Sequence, residues 1–224
     1  MELALFSDNS LAFLLRWLHL LAGVTWIGLL YYFNFIQGEY FKEADGGAKS
    51  DVIQKLVPRA LWWFRWAAMF TFLSGLYLAY YWKASGMGIM IGIIMGTIMF
   101  LNVWLIIWPN QKIVIASAKQ VAGGGEALPA AAGALAKAGL ASRTNTLFSI
   151  PMLFFMASSK HLPQINMTPV HEASAASLAL VFGLVIVLAL NGVVGKTGPF
   201  TSVKGVVGSG FLLTAILYLL VEMI

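Results

Sequence analysis

Apolar positions along this chain come in long unbroken runs, not in narrow amphipathic stripes. Six runs stand out, over residues 11–36, 60–82, 87–108, 144–161, 173–194 and 203–224. Each is close to the ~20 residues an α-helix needs to cross a hydrocarbon core. The pattern predicts an all-α, polytopic membrane helix bundle of about six transmembrane helices. It forms a single membrane domain over residues 1–224, with a cytoplasmic loop at about 109–143. Acidic residues, Glu2 and Asp8, precede the first run, so it reads as an uncleaved span and not as a signal peptide. Asp8, Asn9 or Ser10 is expected to cap it. Pro109 is expected to stop the third helix, and Pro151 to kink the fourth. Gly-Gly-Gly at 123–125 and the Ala/Gly-rich stretch at 128–140 read as a turn and a short helix.

Composition narrows the class further. Of the 224 residues, 60% are hydrophobic and only 10% are charged, against about 25% charged in soluble domains. Disorder and a soluble globular enzyme are both excluded. Cysteine is absent, which excludes disulfides, thiolate metal sites, iron–sulfur clusters and haem attached through C-x-x-C-H.

The net charge is +5, and its placement matters more than its size. Lys42, Lys49, Lys55 and Arg59 lie between the first two runs. Lys112, Lys119, Lys137 and Arg143 lie between the third and fourth, and Lys196 and Lys204 between the last two. The second and fourth loops hold only Lys83 and Lys160. The positive-inside rule therefore makes loops one, three and five cytoplasmic and turns both termini outward. Basic loops of this kind point to a lipid bilayer as partner and not to nucleic acid.

The three histidines are His19, His161 and His171. On this topology all three lie toward the outer leaflet. A titratable group at membrane depth is a functional candidate, and two imidazoles on facing helices supply both axial ligands of a b-type haem. Arg16, His19, Gly23 and Trp26 share one stripe of the first helix. In that arrangement Gly23 leaves room for a flat macrocycle and Arg16 pairs with propionates. His161 ends the kinked helix and is the better second ligand, with His171, beside Glu172, as the alternative. The plainer alternative is a hydrogen-bonded His19, interface histidines and a snorkelling Arg16.

At the cytoplasmic mouth, Trp62, Trp63, Arg65 and Trp66 follow Pro58 and Arg59, and Arg143 and Asn145 open the fourth helix on the same side. Arginine among indoles suits a flat, anionic, hydrogen-bonding ligand, or else belongs to an interfacial aromatic belt. Gly88, Gly92 and Gly96 read as a close-packing stripe. No phosphate loop, H-E-x-x-H or G-x-S-x-G is present.

The stretch Trp17-Leu18-His19-Leu20-Leu21-Ala22-Gly23-Val24-Thr25-Trp26-Ile27-Gly28, continuing to Phe33, resembles the first helix of the membrane domain of the bacterial cytochrome-linked urate oxidase (urate hydroxylase) family. Residues 58–75 look like its second helix, and Arg143 to His161, with Asn145 and Pro151, like a later one. His19 and His161 fall on the family's motif histidines; His171 falls on none. The resemblance implies a multi-pass protein of the bacterial inner membrane. It implies an oxidoreductase that needs a separate electron acceptor, with urate as the substrate and a periplasmic cytochrome c as the partner. The chain ends at Ile224 without a cysteine, so the expectation is the membrane domain without the C-terminal cytochrome c domain. The preferred reading is thus a membrane-embedded haem b redox protein. It binds haem through His19, His161, Arg16, Gly23 and Trp26, and substrate through Trp62, Trp63, Arg65, Arg143 and Asn145. The alternatives are a non-catalytic accessory subunit of a respiratory or oxidase complex and a small-molecule or metal transporter, the latter weakened by the scarcity of acids within the spans.

Overall fold

The computed structural model describes residues 10–223. Glu2, Asp8 and the cap positions Asp8 and Asn9 lie outside them. Among the described residues the chain is almost wholly helical. Its six long helices are α1 (Ser10–Glu43), α2 (46–81), α3 (Met87–Ala122), α4 (Ala131–His161), α5 (Ala175–Val194) and α6 (Val203–Glu222). Short 3₁₀ turns stand at Pro163–Asn166 and Gly198–Thr201. Successive helices reverse direction, so the basic loops share one end of the bundle, here the basic end. At the opposite end the second and fourth loops are tied by an antiparallel bridge, Met87 N–H to Thr168 O and Val170 N–H to Ser85 O.

Four helices, α1, α3, α5 and α6, are long and apolar enough to cross a membrane. They leave Leu20, Val24, Leu105, Val187 and Leu212 exposed, as a lipid-facing surface requires. α4 is different: it packs against α1, α3, α5 and α6 and is the centre of the bundle. Its Thr144, Asn145, Thr146, Ser149 and Ser158 are all buried. A helix face covered by protein need not be apolar, provided its polar groups are bonded. Thr144, Thr146, Ser149 and Ser158 each donate to a carbonyl one turn back. Neighbouring helices come close by presenting glycine to α4. A Cβ on Gly192 would lie 2.5 Å from Thr144 Oγ1, and one on Gly210 2.5 Å from Ile150 Cδ1. Of the glycine stripe, Gly92 packs on Met156, whereas a Cβ on Gly96 would meet nothing within 4 Å.

Three helices run well past their apolar segments. α1 has 34 residues and α3 has 36, so each is about 50 Å long and overreaches a ~30 Å core. The surplus lies at the basic end. Pro109 does not end α3, and α2 begins ahead of Pro58. Each proline follows a π-helical segment, Val52–Leu56 before Pro58 and Asn102–Ile107 before Pro109. Proline interrupts an α-helix because its ring meets the carbonyl four residues back and it lacks an N–H. The wider π turn just ahead relieves that conflict, and the helix continues.

A third π segment, Tyr32–Gln37, lies in α1. Bonding five residues back leaves a carbonyl unclaimed where a π segment starts. Asparagine side chains bond carbonyls just ahead of two of these segments: Asn34 Nδ2 donates to Leu30 O, and Asn145 Nδ2 to Met99 O, which the Asn102 N–H also reaches. Both asparagines also reach across helices, Asn34 to Ser142 Oγ and Asn102 Nδ2 to Asn145 Oδ1. α1 and α3 are thereby pinned to the same turn of α4.

Candidate functional site

His19 projects from α1 onto α2. Its Nδ1 lies 2.9 Å from the backbone oxygen of Thr71 and 3.2 Å from Ser74 Oγ. A carbonyl only accepts, so Nδ1 carries the proton and Nε2 keeps its lone pair. Nε2 has no hydrogen-bond partner among the described residues. α2 approaches the ring through Gly75, where a Cβ would stand 3.0 Å from His19 Cε1. One turn along α1, a Cβ on Gly23 would meet nothing within 4 Å. Trp26, further on, is 2% exposed, and its indole N–H is buried without an acceptor.

One turn nearer the loops of this end, the Arg16 guanidinium sits 5.2 Å from the Trp82 ring centre. Lys160 Nζ, from the last turn of α4, sits 4.8 Å from the same ring. Two cations from two helices therefore meet on one indole. His161 follows Lys160 as the last residue of α4 and is exposed. His171 lies in the loop beyond, with Nε2 3.5 Å from Glu172 Oε1.

These residues suit a haem in donor chemistry. An axial histidine needs a free Nε2 and a hydrogen bond that orients its other nitrogen, and His19 has both. The gap at Gly23 and the Arg16–Lys160 pair match the needs of a macrocycle edge and of two propionates. His161 stands on the same end, exposed and without a hydrogen bond among the described residues.

Toward the basic end, the expected substrate set falls in three places. Trp62 and Trp63 are 48% and 61% exposed and, with Pro58 and Arg59, line a shallow outward groove. Arg65 turns the other way, toward α3. Its guanidinium carbon lies 5.6 Å from the Trp66 ring centre, 5.3 Å from that of Trp104 and 4.0 Å from that of Trp108. Lys112 Nζ approaches Trp108 as well, at 5.6 Å. Arg143 faces α1, where Glu39 is the acid whose charge it feels. Asn145 is fully buried, with both amide atoms engaged by Asn102 and Met99.

Several polar atoms at this level are buried without a partner: Arg65 Nε, Trp104 Nε1, Arg143 Nη1 and Gln37 Oε1. A desolvated cation–π contact contributes about 2 kcal/mol. Arg65 as a whole is half-buried, so its charge is shared between the indole faces and its surroundings while Nε stays unpartnered.

Residues 85–216, which run from the start of α3 into α6, match the family model described as urate oxidase N-terminal. The chain belongs to the urate oxidase N-terminal family. No curated protein and no solved structure matches it. The family match takes in Trp104, Trp108, Lys112, Arg143, Asn145, His161 and His171. His19 and Arg65, on α1 and α2, precede it.

Within this family member, sequence reasoning missed Trp104, Trp108 and Lys112. The signal was present, since 104, 108 and 112 recur at the four-residue spacing of one helix face. Reading Pro109 as the end of the helix hid it.

Proposed function

We propose that this membrane protein is a haem b redox protein of the bacterial inner membrane. It would carry electrons from a urate-class substrate at the basic, cytoplasmic end to a cytochrome c or partner complex on the other side. The observation that carries the reading is the His19 hydrogen bond to Thr71 O, which leaves Nε2 free inside a transmembrane segment. His19 and His161 would hold the iron, and the haem would supply one-electron chemistry. The Thr71 carbonyl sets the tautomer of His19 and fixes its ring. Arg16 and Lys160 neutralise carboxylates at the outer edge. Trp26, nearly fully buried, helps close the inner side of the site to water. Both termini face the periplasm by the positive-inside rule, on the side where the acceptor docks.

An absorption spectrum of the purified protein tests this. The reading expects a Soret band with sharp reduced α and β bands, lost in His19→Ala and shifted to a high-spin form in His161→Ala. A folded, colourless preparation overturns it. Co-purification with a larger complex, without haem in this chain, would instead identify an accessory subunit.

A further inference from the structure

We propose that the outward groove of α2, lined by Pro58, Arg59, Trp62 and Trp63, binds the headgroup of an anionic phospholipid from the leaflet at the basic end. The proposal rests on neither the haem nor the substrate reading above.

Depth is the first argument. Trp62 and Trp82 are 48% and 51% exposed and stand toward the two ends of one helix. From position 62 to position 82 is twenty residues, or about 30 Å of helix. That is the thickness of a hydrocarbon core, and exposed indoles settle at its two interfaces. Arg59 lies three residues before Trp62, about 4.5 Å further along the axis. It therefore stands at the level of the lipid phosphates.

Charge is the second. Lys42 and Lys55, at the same end, are each paired with an acid, Glu39 and Asp51. Arg59 is exposed and has no acidic partner among the described residues. Arg65 turns away onto Trp108, so Arg59 is the cation that faces the groove. A guanidinium matches a phosphate with two parallel N–H donors.

Shape is the third. The groove holds about 390 Å³ and opens outward. Trp62 and Trp63 stand edge to face with ring centres 5.0 Å apart and give it an apolar wall. Toward the middle of the bundle, Trp66 and Phe70 continue from Trp62, with successive ring centres 6.4 and 6.3 Å apart, and Leu73 follows, exposed. Acyl chains lie along such a track. A free phosphate uses the arginine alone, whereas a phospholipid uses the arginine, the indole wall and the track together.

Native mass spectrometry of the full chain, released from detergent micelles holding equal phosphatidylglycerol and phosphatidylcholine, tests the assignment. The parent should retain phosphatidylglycerol about fivefold over phosphatidylcholine, the preference one basic residue confers at a membrane surface. Arg59→Gln should remove that preference, and Arg59→Lys, which keeps the charge, should retain most of it. Lys55→Gln removes a charge from the same end but not from the groove, and should leave the preference unchanged. Trp62→Leu should weaken both lipids. Arg59, Lys55 and Trp62 are exposed, so thermal unfolding in detergent should match the parent in every variant. An undiminished preference in Arg59→Gln overturns the proposal. So does an equal loss in Lys55→Gln, which would mark diffuse basicity, or displacement of phosphatidylglycerol by equimolar inorganic phosphate, which would mark a site for the free ion.

Discussion

His19 hydrogen-bonds to a backbone oxygen, which no side-chain substitution removes. The adjoining Ser74 hydroxyl is the weaker partner at 3.2 Å, against 2.9 Å for the carbonyl. Ser74→Ala should therefore cost about 1 kcal/mol or less and leave the visible spectrum in place. Gly75→Ala is the sharper probe, because its methyl would stand 3.0 Å from His19 Cε1. The ring must then tilt, and the reduced spectrum and the g-values in electron paramagnetic resonance should shift without loss of the fold. Unchanged spectra in Gly75→Ala would separate His19 from the iron. Asn145 carries a different kind of load. Asn145→Ala takes the acceptor from the buried Asn102 amide and one of two donors from Met99 O, which should destabilise the bundle by about 1–3 kcal/mol. Thermal unfolding in detergent reads this directly.

At the scale of elements, the close contacts around α4 rank by how closely they meet stiff side chains. Gly192 faces Thr144, a β-branched residue with few rotamers, and a Cβ there would lie within 2.9 Å of three of its atoms. Gly192→Ala should therefore cost about 1–3 kcal/mol. Gly210 meets Ile150, also β-branched, but only its Cδ1 stands under 3.0 Å, with Cβ at 3.1 Å and Cγ1 at 3.2 Å, and Gly210→Ala should cost less. Equal losses of thermal stability in the two would contradict this packing. The helices themselves were legible from their apolar runs, because lipid-facing α1, α3, α5 and α6 must be apolar. Their lengths were not. Pro58 and Pro109 look like breakers, and only a three-dimensional ladder shows a π turn absorbing each of them. The candidate residues His19 and Arg65 were visible as charged or titratable groups inside apolar runs. Their partners Thr71 O, Trp104 and Trp108 were not, since a backbone carbonyl leaves no mark in sequence and two ordinary tryptophans look like a belt.

For the molecule as a whole, α2 borders both candidate sites. Thr71 and Ser74 orient His19, and Arg65 lies six residues before Thr71, about 9 Å along the helix axis. A substrate at Arg65 and an iron at His19 would therefore be separated by about two to three turns of one helix, since the ring also lies on Ser74 and Gly75. On the proposed reading, the direction of electron flow depends on which end of the bundle faces the cytoplasm, and the positive-inside rule expects the basic end there. The chain has no cysteine, so a single introduced thiol reports without background. Ser85→Cys, in an exposed loop at the His19 end, should react with a membrane-impermeant maleimide in right-side-out vesicles. Ala127→Cys, in the exposed glycine-rich turn of the basic end, should react only in inverted ones. The reverse pattern would place the Arg65 cluster nearer the periplasm. It would also remove the reason for expecting a periplasmic acceptor at His19, since an electron leaving the haem would then emerge on the cytoplasmic side.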